Sequence, residues 1–356
     1  MTSGIPARIW LLADGKPGHV SQSEGVLRAL SERYPLQVDR LDVRLRSRMW
    51  RPLLRHVLNS VRPVSPVQAL RLLRLAYSGV PTAGSGPDLV VSCGGETIFA
   101  NALIGRDRSV RNVFLGTLRG LKPGNFDAVV SGLHLADVPN LVELTLSPGA
   151  FDRAAARQAG AELIAGLQPA DDAPFWSVLI GGDGAGYRYT EADISALCRF
   201  LGAAHRRFSV RWLLTTSRRT GARIERQLQQ YLTAHPRAFA HSVLFGESSR
   251  RVAASYIGAA ERLFVTEESS SMLSEAMLCR CPVVSLSPVV RRPDAHYARF
   301  LEKHRSAGRL QSIELQHAEA SLDQIKRTPC GDSTIAVADE IREGLACLLP
   351  QRLREE

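Results

Sequence analysis

Val265 to Leu286 reads VTEESSSMLSEAMLCRCPVVSL. An apolar run, LFV, ends at Val265; Thr266, two acids and three serines follow, then a mostly apolar stretch, then Pro-Val-Val. This is the pattern of a strand, a polar turn, a helix and a second strand, the crossover that joins parallel strands. The serines stand at the expected helix start, where hydroxyls and free backbone N–H groups can hold phosphate oxygens. Glu275 lies one helical turn beyond Ser271 and therefore on the same face. A carboxylate there can accept hydrogen bonds from both hydroxyls of a ribose while Ser269, Ser270 and Ser271 hold a diphosphate. The plainer alternative is a capped helix with an exposed glutamate.

Working outward, the same alternation recurs along the chain. ARIWLLADG, LQVDRLDV, DLVVSCGG, RNVFLGT, FDAVVSG and LVELTLS read as strands in the first half. SQSEGVLRALSERY reads as a helix opened by the capping box Ser21-x-x-Glu24, and ETIFANALIG and RAAARQAGAELIAGL as further helices. QPADDAP marks a linker. FWSVLIGGDGAGY then starts a second series of strands and helices. The fold class expected is α/β, with two Rossmann-like parallel-sheet domains facing across a cleft. Their bounds are 1–165 for the first, 166–175 for a linker and 176–330 for the second. A C-terminal helix in 331–356 is expected to pack back on the first domain.

The 356 residues suffice for two such cores, and 45% apolar with 22% charged residues excludes a disordered chain. No apolar run is long enough for a membrane span, and the N-terminus enters its first strand without a secretory pattern. The 6 cysteines lack paired ligand spacing, which favours reduced cytoplasmic thiols over disulfides or zinc. Net charge is +10, so an anionic partner is expected. Val43 to Tyr77 concentrates that charge: 8 arginines and no acid, interleaved with leucines, Met49 and Trp50. Such a segment reads as a surface for an anionic membrane or as a solvated basic face. Nucleic acid is not expected, because no aromatic sheet motif accompanies the arginines.

In doubly wound folds ligands bind beyond the carboxyl ends of the strands, so post-strand turns carry the candidates. The first turn is Asp14-Gly15-Lys16-Pro17-Gly18-His19, with Gln22 after it. His19 can exchange a proton near neutrality, with Asp14 as the second catalytic candidate. Gly94-Gly95-Glu96 would line the acceptor side together with Gly15, Lys16, Gly18 and Gln22. Gly181-Gly182 opens a glycine-rich turn without the Lys-Ser/Thr ending of a P-loop or a dinucleotide fingerprint, which argues against an ATPase and a dehydrogenase. Ser217, Arg218, Arg219 and Thr220 pair guanidinium groups with hydroxyls, a set suited to pyrophosphate.

DGKPGHVSQSEG, TSRRTG and VTEESSSMLSEAMLCRCPVV together resemble the glycosyltransferase-like family related to the plant elongated-mitochondria fission protein, which includes bacterial lipooligosaccharide-core transferases. The resemblance runs from about Trp10 to about Leu310. It implies a GT-B-like transferase with His19 or Asp14 as base and Gly181, Gly182, Glu268, Ser269, Ser271 and Glu275 on the nucleotide sugar. The acceptor would be a lipid-linked or saccharide molecule of the cell envelope. Neither metal nor cofactor is implied, and the protein would sit peripherally on the inner face of the cytoplasmic membrane. The chain has Glu268-Ser269 where the family often has Asp-Ser, and Cys281 where a glycine often precedes the Pro-Val strand.

Overall fold

The computed structural model describes residues 5–62, 64–81, 86–107, 109–168 and 172–351. The chain divides into two compact units, Met1–Ala150 with Ala336–Glu356, and Phe151–Ile335.

In the first unit six parallel strands form one sheet: β1 (Ala7–Ala13), β2 (Leu36–Asp42), β3 (Leu89–Cys93), β4 (Arg111–Leu115), β5 (Ala128–Ser131) and β6 (Leu141–Glu143), in the order 2-1-3-4-5-6. Central strands are apolar runs buried on both faces, as a sheet covered by helices requires, whereas β2 at the edge is only half-buried. Its helices are α1 (Pro17–Ser31), α2 (Trp50–Asn59), α3 (Pro66–Ala76) and α4 (Ile98–Ile104). Leu54 and Leu58 of α2 and Ala69 and Leu73 of α3 enter the core. The basic segment is thus helical, broken around Pro63, which lies outside the described residues. Ser65 caps α3 in a reciprocal box with Gln68.

Helix α1 starts four residues before the expected capping box. Pro17 occupies its first turn, where a fixed φ and a missing N–H cost nothing. The Ser21 hydroxyl instead accepts from the Ala150 N–H at 3.1 Å. A helix at Val337–Leu345 completes this unit. Its Glu340 carboxylate accepts from the Thr145 N–H at 2.7 Å and hydroxyl at 2.6 Å, and Arg342 pairs with Glu32 of α1.

The second unit begins with α5 (Arg153–Leu167), followed by β7 (Phe175–Ile180), α6 (Glu191–Phe208), β8 (Arg211–Thr216), α7 (Gly221–Ala234), β9 (Phe239–Val243), α8 (Ala253–Ala259) and β10 (Arg262–Thr266). Then come α9 (Ser270–Cys279), β11 (Val283–Ser287), α10 (Ala295–Ser306), β12 (Leu310–Glu314) and α11 (Leu322–Arg327). The parallel strands run 9-8-7-10-11-12, a doubly wound sheet. Placing α5 here moves the expected boundaries from 165 and 330 to 150 and 335. The cause is packing: Gly160 of α5 lies against the backbone of Gly258 and Ala259 in α8, a closeness only glycine permits. Part of the expected linker, residues 169–171, lies outside the described residues, as do residues 352–356 of the expected C-terminal segment.

Trp176, Trp212, Phe200 and Phe264 are buried together, with Trp212 edge-on to Trp176 at 5.6 Å and to Phe264 at 5.3 Å. These rings dominate the sheet's hydrophobic stabilisation. Phe264→Ala should lower stability by about 3–5 kcal/mol, the cost of a large core cavity. Denaturant unfolding followed by tryptophan fluorescence measures this directly, and a loss under 1 kcal/mol would contradict the packing described.

Candidate functional site

Each sheet reverses its winding direction once, and the candidate residues gather there. In the first unit the switch point lies between β1 and β3, where Leu12 stands opposite Ser92. Asp14 follows β1 with its side chain only 1% exposed, and its Oδ2 lies 2.8 Å from Nδ1 of His19. Lys16 Nζ is 3.7 Å from the same oxygen. The imidazole lies on Gly94, whose φ of +94° and whose space both exclude a side chain. Tyr77 at the end of α3 donates its hydroxyl to the Glu96 carbonyl at 2.7 Å, and the Thr97 hydroxyl bonds back to Cys93 and Gly94 carbonyls. The loop that receives His19 is therefore fixed from both ends.

A pocket of about 340 Å³ opens at this point, lined by Lys16, His19, Arg51, Arg55, Gly95, Glu96, Phe99 and Arg119. Lys16, Gly95 and Glu96 were expected on the acceptor side and His19 as the catalytic base. Arg51 and Arg55 had been read only as part of the basic segment, and Arg119 was not anticipated. A signal for Arg119 was present: Gly116-Thr117-Leu118-Arg119-Gly120 is a glycine turn after β4, the same device as the other four. Gly15 and Gly18 are exposed beside Lys16 and His19. Gln22 turns inward and accepts from the Cys93 thiol at 3.1 Å.

In the second unit the switch point lies between β7 and β10, with Leu179 opposite Val265. The Gly181 N–H donates to Thr266 Oγ1 at 2.7 Å. The Gly181 carbonyl receives the Ser217 hydroxyl and, at 3.2 Å, that of Thr220. Gly182 has φ of +110° and meets the backbone of Arg219 and Thr220 so closely that no Cβ fits. Glu268 stands behind Gly181 with a fully covered carboxylate, 3.3 Å from Arg219 Nη2. Burial pushes that carboxyl up to about 7, against the opposing pull of Arg219. Glu268 thus positions Arg219 from beneath the loop, and Ser269, the residue before α9, is buried beside it. Arg218, Arg219 and Ser271 are exposed and Ser270 is half-buried. Tyr187 and Tyr189, which the sequence did not single out, brace this floor through hydrogen bonds to Glu267.

Glu275 is half-buried in α9 and makes no hydrogen bond or ion pair among the described residues. Burial alone pushes its carboxyl up to about 7. It is a desolvated acid without a partner, one helical turn beyond the exposed Ser271. Among the described residues no three His, Cys, Asp or Glu side chains converge as metal ligands.

Two tandem Rossmann-like domains with glycine turns at their switch points define a GT-B-like α/β fold. The chain belongs to the mitochondrial fission ELM1 family, whose model matches residues 17–345. Among solved structures it is similar to the UDP-GlcNAc 2-epimerase from Methanocaldococcus jannaschii, with a TM-score of 0.53, 10% identity and coverage of 96% of this chain and 100% of that one. It also aligns with Acinetobacter baumannii MurG (TM-score 0.48, 15% identity, 98% of both chains). A third match is Anabaena Alr3699/HepE in complex with UDP and glucose (TM-score 0.48, 14% identity, 96% of this chain and 94% of that one). No individual curated protein sequence matches.

The raised carboxyl of Glu275 has a thermodynamic consequence. A folded-state value above the unfolded one means the native state binds the proton more tightly. Its stabilising effect is complete below the ordinary carboxylate range near 4.5 and is lost as pH rises through about 7. Glu275→Gln should therefore leave stability unchanged below that range and raise it above pH 7 by roughly 1–3 kcal/mol. Thermal melts of both proteins across pH 4 to 8 test this; parallel curves would mean Glu275 is not desolvated.

Proposed function

We propose that the protein is a glycosyltransferase that moves a sugar from a nucleotide diphosphate sugar to a hydroxyl of a lipid-linked or saccharide acceptor. The observation that carries this reading is the Asp14–His19 pair. A covered carboxylate holds Nδ1 of a half-exposed imidazole and leaves Nε2 to meet the acceptor. His19 Nε2 takes the proton of the acceptor hydroxyl as its oxygen bonds to the anomeric carbon. The bond from that carbon to the β-phosphate oxygen breaks, and its electron pair leaves with the nucleoside diphosphate. Asp14 steadies the imidazolium so formed. Arg218, Arg219, Ser270 and Ser271 meet the departing charge in the second unit, so the reading invokes no metal and no cofactor. Glu275 accepts the ribose hydroxyls.

His19→Ala should lower turnover roughly 10²–10⁴-fold with donor affinity nearly unchanged. A collapse of donor binding would instead make His19 a binding residue. The epimerase among the fold neighbours supports a second reading, chemistry on the nucleotide sugar alone. UDP-sugar turnover without an acceptor, abolished by His19→Ala, would favour it.

The basic segment supports an anionic bilayer as the surface on which the acceptor is met, at the cytoplasmic membrane's inner face. Seven of its eight arginines are exposed. Of eleven large exposed apolar side chains among the described residues, six belong to it: Met49, Leu53, Val61, Val67, Leu70 and Leu75. No described helix is long and apolar enough to cross a membrane, so the attachment proposed is peripheral. Each basic side chain near such a surface contributes about 1 kcal/mol at most. Replacing Arg44, Arg48 and Arg71 by Gln and Met49 and Val67 by Ser should abolish cosedimentation with phosphatidylglycerol vesicles. Binding indifferent to salt and to these changes would leave the segment a solvated face.

A further inference from the structure

We propose that the first unit's pocket is a phosphate-binding subsite, so that the acceptor carries a phosphate close to the hydroxyl that reacts. The assignment to the acceptor rests on the transferase reading; the binding of phosphate does not. Four permanent cations line the pocket: Lys16, Arg51, Arg55 and Arg119. Two carboxylates oppose them. Asp14 is already engaged by His19 and Lys16, and Glu96 is paired with Arg51. Arg55 and Arg119 have neither an acid nor a hydrogen-bonding partner among the described residues, yet both are held at the pocket wall.

Arg51, Arg55 and Asn59 are spaced four apart and share one face of α2, flanking the core stripe of Leu54 and Leu58. Asn59 Nδ2 donates to the Gly120 carbonyl at 2.8 Å, and its Oδ1 accepts from the Lys122 N–H at 2.9 Å. That clamp fixes α2 to the turn carrying Arg119. The Arg55 side chain packs at Gly120, and the Arg119 side chain at Gly95. Arg119 itself has φ of +52°, a left-handed conformation that a non-glycine residue adopts at a cost. Guanidinium groups without an acid partner at the rim of one small pocket repel one another, and a phosphate oxyanion removes that repulsion while accepting their forked N–H donors. Phe99 supplies the apolar wall against which the organic part of a phosphate ester can rest.

The phosphate can come from a lipid headgroup or from a soluble sugar phosphate. The test titrates inorganic pyrophosphate calorimetrically into the full chain and into Arg55→Gln/Arg119→Gln, with thermal melting to show that the variant folds. Arg55→Lys is the second variant, keeping the charge but losing the fork. Pyrophosphate affinity should fall roughly tenfold or more in the double variant, while UDP affinity stays the same. Equal pyrophosphate affinities for wild type and both variants would overturn the proposal. Competition by phosphatidic acid vesicles or by glucose 1-phosphate, read as the part that depends on Arg55 and Arg119, identifies the source, and competition by neither overturns it. Failure of UDP to bind, with the arginine effect intact, would remove the donor reading and leave the phosphate subsite standing.

Discussion

The second unit depends on one hydrogen bond, from the Gly181 N–H to Thr266 Oγ1 across the point where β7 and β10 part company. Parallel strands at a reversal send their helices to opposite faces, so the backbone ends there would otherwise gape and face water unpaired. The bond closes the gap at its base. The Gly181 carbonyl then becomes the acceptor for Ser217 and Thr220, which ties the turn after β8 to the turn after β7. With three loops fixed to one another, a ligand meets a surface whose ordering cost has already been met in folding. Glu268 fits behind this assembly only because position 181 lacks a Cβ.

The first unit solves the same problem differently. Its reversal is filled by a side chain, the His19 ring lying on Gly94, and the loop is braced by Tyr77 and Thr97. The second unit therefore offers a bare backbone turn after β7 and a half-buried acid in α9. The other offers an imidazole held by a carboxylate at the edge of a cationic pocket. The two reversals are thus closed by different devices, a side chain on a glycine in one and a backbone-to-hydroxyl hydrogen bond in the other.

Alternating strands and helices were legible in the sequence because apolar runs between glycine turns have few other readings. The post-strand positions of Asp14, Gly94, Gly181, Ser217 and Glu268 followed from that alternation. Three features were not legible. The start of α1 was misplaced because a real capping-box pattern at Ser21 competed with Pro17, and the hydroxyl found a tertiary partner in Ala150. The unit containing α5 is decided by Gly160 meeting α8, a contact remote in sequence. Which arginines turn toward the pocket depends on how α2 rolls on its core, set by Leu54 and Leu58 and by the Asn59 clamp to the turn after β4. Burial also separates residues that look equivalent in sequence: Glu268 and Ser269 are covered, while Ser271 is exposed.

Two carboxyls held near 7 by burial bear on how the fold is stabilised. Glu268 offsets part of its desolvation through Arg219, and so has a structural explanation that needs no ligand. Glu275 has no such offset, and burying an acid without a partner costs stability unless something later supplies the missing hydrogen bonds. This asymmetry between two neighbouring glutamates lies in their partners: Glu268 meets Arg219, whereas Glu275 meets no opposite charge among the described residues.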